Sequence, residues 1–403
     1  MSFDEDTAIF RGLLDEEGGN YARALPIFLR LYDRTGKTEY LIHAARLGMG
    51  VKGAQKRLIA RLRSWLRRHP KATPVHQEAV RLLVILYARN GALDRAYRTA
   101  KRWLSKSTDP KDLILAATLD VDLKHYKEAV NLLESAYGKT LDEKTLLQIA
   151  TLEDHYLHNP EAAITLLESH LRMHPQSGPL IYERLIGLYA RQKRFDKVLD
   201  LYRQMYDRYP SEALKQKIIK LALYQRNFEA LTKFLQRHPG NERLLYSLYK
   251  EQKRYGKALA LAKRLYAQTH QPRWLAEEAI LLYEEAKAQK RVTPDVLQKF
   301  RALFDRALKE GADDSLYLNY YGYTLIDHGL DIDRGIALVR RALTQQPNNP
   351  YYLDSLAWGL YKKGECARAK KVMEKVVAAG EIKEPEIEMH RQKIERCAQH
   401  SVK

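Results

Sequence analysis

"GLYARQKRFDKVLDLYRQMYDRYP", Gly187–Pro210, decides the fold. Extended back to Pro179, it places Tyr182, Leu185, Ile186 and Tyr189 on one helical face. After the charged break Arg191–Arg194, Phe195, Val198, Tyr202 and Met205 fall on a second face, and Pro210 stops the run. The spacing predicts two antiparallel helices of about three turns each.

The same frame returns in "YLDSLAWGLYKKGECARAKKVMEKVV", where Leu353, Leu356, Ala357 and Leu360 precede Gly364, and Cys366, Ala369, Met373 and Val376 follow it. It returns again as Leu113, Ala116 and Ala117, then Tyr126, Ala129, Leu133 and Ala136. One residue a turn into each second helix marks the repeat: Ala24, Leu58, Ala96, Ala129, Ala163, Val198, Leu231, Ala258, Phe300, Gly335 and Ala369. The steps between them are 34, 38, 33, 34, 35, 33, 27, 42, 35 and 34 residues.

A period near 34, a small or aliphatic residue where two helices cross, and prolines at unit ends (Pro70, Pro175, Pro210, Pro347) resemble the tetratricopeptide repeat family. The resemblance implies an all-α, right-handed superhelical solenoid of about eleven helical hairpins over residues 5–383. A capping helix over 385–400, "EPEIEMHRQKIERCAQHS", would follow with a polar outer face. Two units depart from the pattern: a short one ending at Pro239–Gly240, and a long one with an inserted loop around Val292–Asp295. Repetition has a physical reason, since one hairpin buries too little surface to stand alone while stacked hairpins share a core.

Composition agrees. The 403 residues suffice for two or three ordinary domains or one elongated one; 45% hydrophobic and 30% charged residues with sparse glycine (20) and proline (14) suit ordered helices. No stretch approaches the length of apolar residues that a membrane-spanning helix needs. The opening "MSFDEDTAIFRGLLDEEGG" puts acids where a secretory signal carries basic and then apolar residues.

The net charge of +19 is unevenly placed. Between Glu39 and Ser107 stand sixteen Lys/Arg, Lys106 the last of them, against three acids. Arg57, Arg61 and Arg68 lie on the second helix of the second unit, and Arg95, Arg98 and Arg102 on that of the third. They make either a cationic strip for an acidic protein, anionic polysaccharide, lipid headgroups or nucleic acid, or a plain solvated face. Nucleic acid is disfavoured because exposed aromatics of the stacking kind are not evident, Trp65 and Trp103 sitting at core spacing.

No catalytic constellation stands out, so no enzyme activity, cofactor or metal is expected. "GMGVKG" (Gly48, Gly50, Gly53) matches a dinucleotide loop only in its glycines, because a helix and not a strand precedes it. "EDHYLH" sets His155 and His158 near Glu153 and Asp154, but no third ligand follows at defined spacing, and a turn at His158 and Asn159 explains it more simply.

Cys366 starts the second helix of the last unit and Cys397 lies near the end of the capping helix, with the chain reversing between them at Gly380–Pro385. Equal helical rise on each side of that turn puts the thiols at one level. A disulfide there would stabilise the cap by about 3–4 kcal/mol in the chain-entropy model; two buried thiols packing as small apolar groups are the alternative. A disulfide would indicate the periplasm or another oxidising space, and reduced thiols the cytoplasm.

The resemblance also implies that exposed residues of first helices contact protein partners. In the last two units these are Asn319, Tyr323, Asp354, Trp358 and Tyr361, an aromatic wall suited to a peptide, with core packing as the alternative account of some of them. The lysine and asparagine pattern by which some members clamp a terminal carboxylate is not recognisable. Asn319–Ala369 looks like the closing units of bacterial proteins of this family, many exported and lipid-anchored. The expectation is a non-enzymatic scaffold for protein partners in an envelope-associated assembly, or else a binder of an anionic polymer or lipid surface through residues 46–106. Neither the partner nor the oligomeric state can be read from the sequence.

Overall fold

In the computed structural model every hairpin turns on one residue in the left-handed backbone region: Gly19, Gly53, Gly91, Lys124, His158, Lys193, Arg226, Lys253, Lys290, Gly329 and Gly364. In nine of these eleven turns that residue stands five positions before the crossing residue of the next helix, as Gly19 does before Ala24 and Lys193 before Val198. Ten of the eleven stand two residues past the end of the first helix, and Gly53 stands six past it. The exceptions are the turn with the long loop, Lys290 to Phe300, and that of Gly329 to Gly335.

The structure describes residues 4–104, 107–378 and 384–400. Lys106 and all but the last two residues of the chain reversal expected at Gly380–Pro385 lie outside the described residues. The chain divides into two units, Met1–Leu221 and Ala222–Lys403.

In the first unit run α1 (Glu5–Glu17), α2 (Tyr21–Thr35), α3 (Thr38–Leu47), α4 (Gln55–Arg68), α5 (Pro74–Arg89), α6 (Leu93–Trp103), α7 (Pro110–Asp122), α8 (Tyr126–Thr140), α9 (Glu143–Thr151), α10 (Pro160–Met173), α11 (Pro179–Arg191) and α12 (Phe195–Arg208). A π-helical turn, Leu152–Tyr156, extends α9. The division falls inside α13 (Glu212–Tyr224). In the second unit run α14 (Phe228–Arg237), α15 (Glu242–Glu251), α16 (Tyr255–Thr269), α17 (Arg273–Ala288), α18 (Pro294–Lys309), α19 (Ser315–Asp327), α20 (Ile332–Gln345), α21 (Pro350–Lys362), α22 (Cys366–Ala378) and α23 (Pro385–His400). No strand occurs among the described residues. Among the described residues the fold is thus an all-α, strand-free solenoid of paired helical hairpins with a closing helix, as the repeat predicts.

Starts are chemically marked. Pro74, Pro110, Pro160, Pro179, Pro294 and Pro350 occupy first turns, where a missing N–H costs nothing. Asp109, Asp142, Asn159, Thr293, Asp331 and Asn349 cap the free N–H groups with their side chains. The core runs through the hairpins because all eleven crossing residues are buried, nine of them completely. The Gly48–Gly53 motif proves to be the turn between α3 and α4, with Gly53 left-handed.

At the α19–α20 crossing two glycines face each other. A Cβ built on Gly322 would stand 2.8 Å from the Gly335 carbonyl oxygen, and one on Gly335 would stand 2.7 Å from the Gly322 carbonyl oxygen. Two backbones touch there, and a methyl group has no room. Gly335→Ala or Gly322→Ala should cost about 1–3 kcal/mol by overpacking, whereas Gly256→Ala on α16, which meets only Glu285 at 3.8 Å, should be neutral or stabilising. Urea unfolding with hydrogen exchange across α19 and α20 reads the difference.

Candidate functional site

Two surfaces carry the residues singled out in the sequence. The first lies at α19, α21 and α23. Four of the five wall residues meet the closing helix: Asp354, Trp358, Tyr323 and, through Trp358, Tyr361. His390 of α23 is buried, its Nδ1 3.0 Å from the Asp354 carboxylate and its ring stacked on Trp358 with centroids 4.0 Å apart. Trp358 donates from Nε1 to Asp327 at 3.1 Å and stacks on Tyr361 at 4.9 Å. The Tyr323 hydroxyl donates to Glu386 of α23 at 2.6 Å, and burial followed by that bond pushes its pKa up. Asn319 lies away from these contacts, half-buried, with its side-chain oxygen unpartnered.

These positions correct one expectation: Asp354 and Trp358 are not exposed but buried. The physical reason is twofold: Trp358 packs on Ile326, Ile336 and Val339, and α23, whose Ile394 enters the apolar cluster of Leu353, Ala357, Leu360, Met373 and Val376, brings His390 onto the wall. A Cys366–Cys397 disulfide ties α23 to α22, so the bonded alternative is the one the structure adopts.

The second surface is the basic region. Arg61 is held bidentately by Asp33 of α2, and that guanidinium keeps the Asp33 carboxyl below its ordinary range. Arg68 donates to the Tyr32 hydroxyl at 3.2 Å. Arg57 and Arg95 are exposed. Arg57, Arg61 and Arg68 therefore form the stripe of α4 that faces α2. Facing α6 instead are Arg63 and Arg67, which the sequence reading passed over. With Arg98 and Arg102 they line a hollow of about 510 Å³ floored by Leu66, Leu83, Tyr87 and Trp103.

Trp103 is the second correction. It occupies the position equivalent to Trp65, yet Trp65 is buried and Trp103 is 40% exposed. Helix α4 continues three residues past Trp65, which stacks on His69 at 4.4 Å and donates to Thr38 at 3.1 Å. Helix α6 ends at Trp103 itself, leaving the ring tilted against His76 at 4.8 Å with the Arg102 guanidinium over it at 5.5 Å. An early helix end, readable in "SKSTDP" ahead of α7, was the signal available.

Among the described residues no group of three or more His, Cys, Asp or Glu is placed to hold a metal. Asp154 is engaged instead by Arg184 and Arg191, and His158 is the left-handed residue of its turn. No helix among the described residues is long and apolar enough to cross a membrane.

No family model and no curated protein matches the chain. Solved structures similar to it include Naa15/Naa10 bound to HypK-THB (13% identity, TM-score 0.38, covering 89% of this chain and 67% of that one). A tetratricopeptide repeat protein from Parabacteroides merdae has 14% identity and a TM-score of 0.37 over 61% of this chain and 97% of its own. Yeast Tom70 has 12% identity and a TM-score of 0.36 over 99% and 96%. The chain is a TPR-like helical solenoid, and that statement rests on the hairpins themselves.

Burial lowers the pKa of His76, and burial together with the neighbouring His174 lowers that of His170. The unfolded chain then binds more protons than the folded one once the pH drops below about 6.5. Stability should therefore fall from that point towards the lower folded-state values, and His170→Gln should show a shallower decline in urea midpoint between about pH 7 and pH 5. Thiol labelling should find no reactive cysteine before reduction and two after it. Reduction should speed hydrogen exchange in α23 and remove up to about 3–4 kcal/mol of local stability.

Proposed function

We propose that the chain is a non-enzymatic scaffold that holds protein partners in a bacterial, envelope-associated assembly. The supporting observation is the cis complex at α23. A wall built from Tyr323, Asp354, Trp358 and Tyr361 already grips an amphipathic helix through a buried histidine–carboxylate contact, ring stacking and a tyrosine hydrogen bond. Those are the interactions by which helical grooves hold partner helices. The wall residues that meet α23 are, on this reading, where a partner segment competes with it, and Asn319, outside those contacts, is a further contact for the same segment.

The disulfide supports an oxidising compartment such as the periplasm. A second reading, attachment to an anionic polymer or lipid through the basic region, draws on the exposed arginines around α4 and α6. It is the weaker of the two because the cationic face is short. At the positions on α8 equivalent to Arg95, Arg98 and Arg102 stand Glu128, Asn131 and Ser135.

Capture from detergent-solubilised native membranes, with the oxidised full chain as bait, tests the scaffold reading. A defined protein partner should be retained at an ionic strength that strips polyanions. Recovery of only nucleic acid, polysaccharide or lipid, lost with salt, would overturn it.

A further inference from the structure

Hollows between consecutive second helices are a product of the repeat, and three of them differ mainly in charge. Between α10 and α12 the lining is balanced, with Glu168 and Asp200 opposite Arg172 and Lys197 in about 410 Å³. Between α14 and α16, in about 480 Å³, Lys257 and Arg264 share the lining with Glu242, Gln236 and Gln268. Between α4 and α6 four arginines line the hollow and no carboxylate does. Arg63 and Arg67 are one helical turn apart on α4, and Arg98 and Arg102 one turn apart on α6, so two cationic rows flank an apolar floor.

None of the four makes an ion pair among the described residues; Arg98 donates only to the Asp94 backbone carbonyl at 3.3 Å, and Arg102 lies over Trp103. The neighbouring α2–α4 junction shows the contrast, its Arg61 being neutralised by Asp33. Leaving like charges together in one concavity is unfavourable unless an anion joins them.

We infer that the α4–α6 hollow is a docking site for an acidic peptide segment, with carboxylates on the two arginine rows and an apolar side chain between them on Leu66, Leu83 and Trp103. Guanidinium forks match carboxylates bidentately, and the floor gives the apolar side chain a partner that a bare polyanion would leave unused. A long polymer is poorly served, because of the three hollows only this one is lined without a carboxylate. A stacked base finds Trp103 already flanked by His76 and Arg102. This inference rests on the protein-binding reading and names the chemistry of one partner segment.

Calorimetric titration of the oxidised full chain tests it, using a short synthetic peptide with glutamates on both sides of one phenylalanine. The peptide should bind, with affinity falling at least tenfold in R63E/R67E and in R98E/R102E. It should fall severalfold in Trp103→Ala and on raising salt, and stay unchanged in R57E/R95E. The milder pair R98Q/R102Q, checked for native helicity, covers any misfolding of the reversed variants. Peptide binding that survives both reversals overturns the inference, as does a chain that ignores the peptide but binds a single-stranded oligonucleotide or anionic phospholipid vesicles. Failure here with a protein partner still captured from membranes would leave the scaffold reading standing and remove only this site.

Discussion

Everything in this chain depends on the close crossing inside each hairpin. One buried residue per second helix brings two helices near enough to share a core, and the left-handed residue ahead of it sets the approach. Where the buried residue is Gly335 the backbone meets that of Gly322 on the first helix directly. Where it is Phe300 the gap is filled by a ring that meets Phe304, Tyr320 and Tyr321. The position stays apolar and its volume varies, so the repeat survives large changes of sequence because each unit needs only local complementarity.

That is also why the fold was legible. A spacing near 34 residues, helical apolar stripes and prolines at helix starts each report a short-range constraint, and short-range constraints are written in consecutive residues. The expected positions of the eleven crossing residues were all buried for this reason. The left-handed turns were legible only in part. Glycine marks five of the eleven, whereas lysine, arginine or histidine holds the other six by helix-end hydrogen bonding alone.

The candidate sites were less legible, because they depend on which flank of a helix meets which neighbour. Arg57 and Arg63 look equivalent in a string, yet one lies on the flank towards α2 and the other lines the hollow towards α6. Trp103 resembled Trp65 until the end of α6, three residues earlier relative to the ring, left it partly uncovered. Asp354 and Trp358 were expected on an open wall. Their burial comes from a helix some thirty residues further on that folds back over them, and no periodicity encodes such a return.

The closing helix has one more effect. A stack of hairpins ordinarily ends in an apolar face onto which another molecule's first hairpin could add, giving head-to-tail fibres. Here that face is covered by Ile394 and His390, and the outward side of the cover carries the ion pairs of Arg391 with Glu388 and Glu395. Because the cover is bonded covalently to α22, a neighbour that displaced it would leave it tethered beside the face it had covered, at high effective concentration. Polymerisation from this end therefore meets an intramolecular rival at every addition.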